Sequence, residues 1–326
     1  MTEYRLSWSH GEAVVLSTAA VLADCRFDLP AGAFHPFARA PWMGTVDDPN
    51  IIGHLRELGG DFVCVPFGAG PAEPIGPRAW ADLMTEPPPV PIHGPAGDAE
   101  WSIVEQTESS ITLGLDYPEN HLVRRLERTV SGHEGSPVLE SELTIYPRRS
   151  GSISVGLHPI LRLPEAPGRL ELKADFEFGL VHPRLVGDGE SQEFAGLDSV
   201  PSSDSSVDLS HLPLEMANFS VQLCGMTGPL RAIFLDQAMG IELDWDRAIL
   251  PSLQIWYTDC GIDGAPWHGQ YRGVGVEPIA SAFDLNTAVS TQPNPINRRG
   301  VPTAVALNAG VPVHIRHRVS AFSVKD

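Results

Sequence analysis

Three residues combine reactive side chains with telling positions. Glu277 sits in GVGVEPIASAF (273–283), between strand-forming valines and Pro278, which forces the chain out of regular pairing. His158 lies in SVGLHPILRLP, an apolar run interrupted by a His-Pro step. His93 opens HGPAGDAEW, where Gly94, lacking a Cβ, lets the backbone pass close to a ligand. Each is a polar group at a Pro or Gly interruption of an apolar strand, the kind of position from which a scaffold presents side chains into a cleft. A carboxylate and an imidazole suffice for acid–base work on a hemiacetal. The carboxylate takes the anomeric hydroxyl proton while the imidazolium protonates the ring oxygen; the ring opens, C1–C2 rotates, and the reverse steps close the other anomer. The bland alternatives are a solvated or loop-capping Glu277, a core-bonded His158 and a loop His93 in water.

Competing chemistries leave little trace. Of the twelve histidines, His314 and His317 are three apart in a predicted strand, an odd offset that turns them to opposite faces. His35, His93, His158 and His268 stand isolated, so no local metal motif exists, and a cupin-like site is the one metal alternative left open. GxGxxG, GxxxxGK[ST] and GxSxG are absent. The expectation is a site with no cofactor and no metal.

Composition narrows the partners. With 41 acidic against 22 basic residues the net charge is -19, which argues against nucleic acid and anionic membranes and leaves neutral sugars or polyols comfortable. The 42% apolar fraction supplies a core. Cys25, Cys64, Cys224 and Cys260 show no CxxC spacing, and the N-terminus lacks a basic segment followed by a long apolar one; both fit a cytoplasmic protein. A homodimer is left open.

To position three interrupted-strand residues, the chain needs many short strands. Its 30 prolines and 31 glycines are spread throughout, the punctuation of an all-β fold. VLESELTIYP alternates at period two, and GGDFVCVPFG reads as a buried strand. DDPNIIGHLRELGG could hold one short helix, with Asp48 as N-cap and Gly59 as stop. The Pro-rich stretch 70–91 is expected to wrap the surface, 186–212 to form a polar excursion, and VALNAGVPVHIRHRVSAF to make a hairpin turning at NAGV. About fifteen strands predict a large antiparallel β-sandwich forming a single domain over 1–326.

In this order GGDFVCVPFG, HGPAGDAEW, GLHPILRLP and GVGVEPIASAF resemble the Gly-Gly strand, His-Gly segment, central-His strand and late Glu strand of the aldose 1-epimerase (galactose mutarotase-like) superfamily. The likeness extends from about residue 35 to 322 and takes in the closing LNAGVPVHIRHRVSAF. It implies Glu277 as base, His158 as general acid to the ring oxygen, and His93 as a substrate-orienting residue. Two departures stand out: Pro95–Asp98 follow the His-Gly step where many relatives carry an Arg, and Asp61 stands in the Gly-Gly strand without one. Arg39 and Arg56 are the nearest candidates for a substrate-binding Arg, with Asp61, Gln254, Trp256 and Trp267 for the hydroxyls and aromatic platform. Two other readings stand beside a mutarotase-like enzyme: a carbohydrate-binding protein without turnover, and an isomerase of a phosphorylated sugar, for which Arg148–Arg149 and Arg298–Arg299 are the paired cations.

Overall fold

VLESELTIYP shows how the layers are built. In the computed structural model, Leu139, Leu143 and Ile145 are buried while Glu140 and Glu142 stay partly solvated, the two-residue period of a strand with one face on a core. The structure describes residues 1–69, 73–85, 91–186, 192–203 and 205–324.

Two large antiparallel sheets result. The first runs, edge to edge, through Glu193–Phe194, Phe176–Val181, Asn218–Met226, Ser252–Asp259, Arg272–Ala280, Val155–Leu157 and Val63–Cys64, with Ile160–Leu161 also paired to Arg272–Ala280. The second has nine strands, with Val313–Ser323 at its centre between Met239–Trp245 and Val138–Pro147. Leu253, Ile255, Val274 and Val276 of the first sheet join Leu143, Ile241, Leu243 and Ile315 of the second in one buried core. Each such side chain contributes about 1.5–3 kcal/mol when fully buried. A four-stranded N-terminal sheet, Glu3–Trp8 to Gly32–Phe34, adds to it through Trp8 and Phe27.

The same alternation sends Gln254, Trp256 and Glu277 to the opposite face of the first sheet, away from this core. A second apolar cluster, including Trp42, Leu58, Phe62 and Tyr271, covers part of that outer face. Catalytic candidates therefore lie outside the sandwich, under a cover of loops.

Three local expectations are corrected. The helix covers Gly53–Arg56 alone and has no side-chain cap; Asp48 instead closes a turn by accepting the Asn50 N–H at 2.9 Å. NAGV does turn, with the Val311 N–H donating to the Asn308 carbonyl at 3.0 Å, but its flanks do not pair as a hairpin. Val305–Leu307 pairs with Gly151–Ile153, whereas Val313–Ser323 joins the nine-stranded sheet, because its long alternating run must bury Ile315 and Val319 in the main core. Within 186–212, short strands at Glu193–Phe194 and His211–Leu212 extend the edges of the two large sheets; 187–191 and 204 lie outside the described residues, as do 70–72 and 86–90 of the Pro-rich stretch.

Candidate active site

A row of polar side chains crosses the outer face. Strand register sets Gln222 opposite Gln254 and Gln254 opposite Glu277. Glu277 is 1% exposed, and neither carboxyl oxygen has a hydrogen-bond partner among the described residues. Its carboxyl lies over Gly275, where an added Cβ would stand 2.2 Å from Oε1. The GVGVE pattern therefore places Gly two residues before the acid for a steric reason: any larger residue would displace it. Gln254 Oε1 is likewise buried without a partner.

His158 reaches the carboxyl from the neighbouring chain crossing, Nε2 3.4 Å from Glu277 Oε1. Its own N–H donates to the Phe62 carbonyl at 2.8 Å, and the Phe62 ring stacks on the imidazole at 4.4 Å and 18°. His93 packs edge-on against His158 at 5.4 Å, and His54 against His93 at 5.2 Å. His54 Nδ1 lies 2.8 Å from the Gly97 carbonyl, so that nitrogen carries the proton. The Gly94 expectation changes partner: a Cβ there would meet the Val65 carbonyl at 2.3 Å, so the close approach is to backbone rather than ligand.

His54, His93, His158, Gln254, Trp267 and Glu277 line one cavity of about 260 Å³. Trp256 and Trp267, 5.8 Å apart, form its aromatic wall with Phe62. Arg184 and Asp284 complete the polar lining. Six of the nine residues expected at the site are thus brought together: Glu277, His158, His93, Gln254, Trp256 and Trp267.

Asp61, Arg39 and Arg56 are not in this cavity. Asp61 and Phe62 are consecutive in an extended chain and point to opposite faces; Phe62 takes the cavity, so Asp61 enters the sandwich. There its Oδ2 pairs with Arg128 and lies 2.9 Å from His317 Nε2, joining the two large sheets through a buried charge cluster. His317 is thus turned inward, while exposed His314 contacts Glu142 at 3.2 Å, the opposite facing their spacing requires. Arg39 is exposed and its backbone bridges Gly59. Arg56 donates to the Ile51 carbonyl at 3.1 Å and lines a separate hollow with Glu57 and Glu100. The paired arginines are elsewhere too: Arg299 binds Glu193 at 2.8 Å and Arg149 donates to the Asn120 carbonyl.

Burial sets the protonation states. It pushes the Glu277 carboxyl well above the usual carboxylate range, and the Asp284 charge adds to the push. Burial lowers His158 to about 3 and His54 to about 4, and takes His93 well below the usual histidine range. Burial therefore disfavours the charged form of both members of the Glu277–His158 pair. Burial opposes ionisation of Asp284 as well, but His182 and Arg184 outweigh it and bring this carboxylate below its ordinary value. Two carboxylates in one cavity are thus driven apart, a pattern associated with acid–base sites.

The fold is that of the galactose mutarotase-like proteins, whose solved structures align with nearly the whole chain. Among solved structures it is similar to the aldose epimerase homologue from C. elegans (13% identity, TM-score 0.67, 99% of each chain covered). It is also similar to a galactose mutarotase-like protein from Clostridium acetobutylicum (11%, 0.65, 99% of this chain and 98% of that one) and to the galactose mutarotase related enzyme from Lactobacillus acidophilus (14%, 0.62, 100% and 99%). No family model and no curated protein matches the sequence.

Proposed function

We propose that the protein interconverts the anomers of a monosaccharide, with Glu277 and His158 as its acid–base pair. The observation that carries this reading is the 3.4 Å contact between His158 Nε2 and a buried carboxyl that lines a sugar-sized cavity and makes no hydrogen bond among the described residues. His158, like Glu277, lies on the floor, while Trp256 and Trp267 offer flat apolar surface to a pyranose ring.

The proposed chemistry starts from one proton shared by the pair and carried on the Glu277 carboxyl. A shift of that proton from Glu277 to His158 gives carboxylate and imidazolium without changing the net charge of the buried site. Carboxylate then takes the proton of the anomeric hydroxyl while imidazolium gives one to the ring oxygen, and the C1–O5 bond breaks to leave an open-chain aldehyde. The pair is back in its resting protonation state. Rotation about C1–C2 presents the other carbonyl face, and ring closure reverses both transfers: the carboxyl protonates the new hydroxyl as the imidazole accepts the proton from O5. Protons balance over the cycle with no other reactant. Neutral His54 and His93 flank His158 without adding charge, and His93 is placed to orient the sugar.

The test is anomer exchange by saturation-transfer NMR on a panel of aldoses, for the wild type and Glu277→Gln. Loss of general acid–base catalysis is expected to slow exchange by about 10²–10⁴-fold. Equal rates for the two proteins on every sugar, with binding retained, would sink the catalytic reading in favour of a carbohydrate-binding protein.

A further inference from the structure

Asp284 is seated with unusual care for a residue that the acid–base pair does not use. Phe283 before it adopts a left-handed backbone (φ 52°), a conformation that a bulky residue occupies only when its surroundings enforce it. Gln222 enforces it from the sheet: its Oε1 accepts the Phe283 N–H at 2.6 Å and its Nε2 donates to the Ser281 carbonyl at 2.9 Å. The Asp284 carbonyl accepts the Ala69 N–H at 2.8 Å. Its carboxylate Oδ1 lies 2.6 Å from His182 Nε2. His182 Nδ1 accepts the Arg184 N–H at 3.1 Å, which puts the imidazole proton on Nε2, and that proton donates to Asp284. His182 is buried, whereas the Asp284 side chain keeps a quarter of its surface exposed where it lines the cavity.

Arg184 lines the same cavity, and among the described residues no other Lys or Arg does. It is the cavity cation that sequence reasoning sought at Arg39 and Arg56. Arg184 and Asp284 line the same cavity, so one bound ligand can meet both the guanidinium and the carboxylate. A carboxylate oxygen only accepts and a guanidinium only donates. Adjacent hydroxyls of a sugar satisfy both, one donating to the carboxylate and the other accepting from the guanidinium. A phosphate or carboxylate would gain Arg184 but face Asp284 in a chain of net charge -19.

We propose that Asp284, held by His182 and neighbouring Arg184, forms a recognition subsite that reads a vicinal diol and selects neutral sugars over phosphorylated ones. This rests on the cavity being a sugar site, as argued above. The residue sets specificity rather than carrying the proton transfers.

The experiment compares glucose, its monodeoxy analogues and glucose 6-phosphate on wild type, Asp284→Asn and Arg184→Gln, measuring KM for exchange and Kd by NMR titration. Asp284→Asn is expected to weaken glucose binding by about 10- to 100-fold, the scale of a hydrogen bond to a charged group, and to narrow the gap between glucose and glucose 6-phosphate. At least one monodeoxy analogue should bind wild type and Asp284→Asn alike, because it lacks the hydroxyl being read. Preference of the wild type for glucose 6-phosphate, abolished in Arg184→Gln, overturns the proposal. So does an Asp284→Asn Kd within twofold of wild type for every sugar. If Asp284→Asn does not fold, Arg184→Gln and the wild-type analogue series decide: the proposal requires weaker glucose binding in the former and loss of affinity for at least one deoxy sugar in the latter. A wild type that binds sugars without exchanging their anomers rejects the catalytic reading alone, since the Kd series still reads the subsite.

Discussion

Replacing Asp61 with Asn tests whether the charge cluster between the sheets is a structural device and not part of the sugar site. Asp61 and Arg128 are both essentially inaccessible, with side chains 2% and 0% exposed. In Asp61→Asn the guanidinium loses its carboxylate and His317 Nε2 its charged partner. Breaking a buried pair from one side costs about 3–5 kcal/mol, because the remaining charge stays buried and uncompensated. Arg128 retains neutral acceptors at the Ala20 carbonyl (2.6 Å), the Asp61 carbonyl (3.1 Å) and Ser141 Oγ (3.3 Å), which places the cost near the lower end, about 3 kcal/mol. That is a large share of the about 5–15 kcal/mol by which folded proteins are stable. With an m value of roughly 3 kcal/mol/M, the urea midpoint falls by about 1 M. Tryptophan fluorescence and far-UV circular dichroism should follow one coincident transition, which licenses the two-state treatment. A midpoint shift under about 0.3 M with m unchanged would refute the reasoning. A second arm replaces both partners, Asp61→Leu with Arg128→Met, and is expected to regain at least half of the loss, since no charge is then left buried.

Three further outcomes follow from burial. Folded Glu277 keeps its proton above the ordinary value of 4.5 while the unfolded chain has released it, so the native state binds more protons there and wild-type stability falls as pH rises. Glu277→Gln lacks this loss and should gain on the wild type as pH rises above 4.5; a urea-midpoint difference that stays constant as pH rises from there contradicts the raised carboxyl. His158 acts on the acid side: the unfolded imidazole binds a proton below 6.5 that the folded one refuses until about 3, so stability also falls as pH drops through that window. Among the cysteines, Cys260 is exposed and Cys25, Cys64 and Cys224 are buried, so Ellman's reagent should titrate one thiol in the native protein and four in denaturant. More than one fast native thiol contradicts this arrangement.

That Glu277 and His158 share one cavity was legible because both interrupt apolar strands, and a polar residue in such a run must be either satisfied or used. The large antiparallel sandwich was legible for a related reason: strand period and Pro/Gly punctuation are local signals. Asp61 shows where locality fails. Its neighbour Phe62 faces the cavity, and a one-residue parity difference moves a side chain across the whole sheet. Arg184 and Asp284 carry no local mark of their role; Arg184 follows a buried strand end and Asp284 a left-handed Phe, and tertiary folding alone brings them beside Glu277. His54 interrupts no apolar strand; it is buried in the single helical turn Gly53–Arg56, and nothing local marks it. The tail misled because NAGV specifies a turn, while pairing of the flanking strands is decided by the core each must cover.

The Gln222–Gln254–Glu277 row has a consequence for how such a protein could change. These residues sit on paired strands whose opposite faces build the main core, so exchanging one risks the register of the rest. His54, His93, Arg184, Trp267 and Asp284 instead come from short helices and connecting segments that tolerate variation more readily. On the proposed function, sugar preference would be free to drift while the ring-opening chemistry stayed fixed. A library confined to the loop-borne positions would then offer the shorter route to acting on a different aldose.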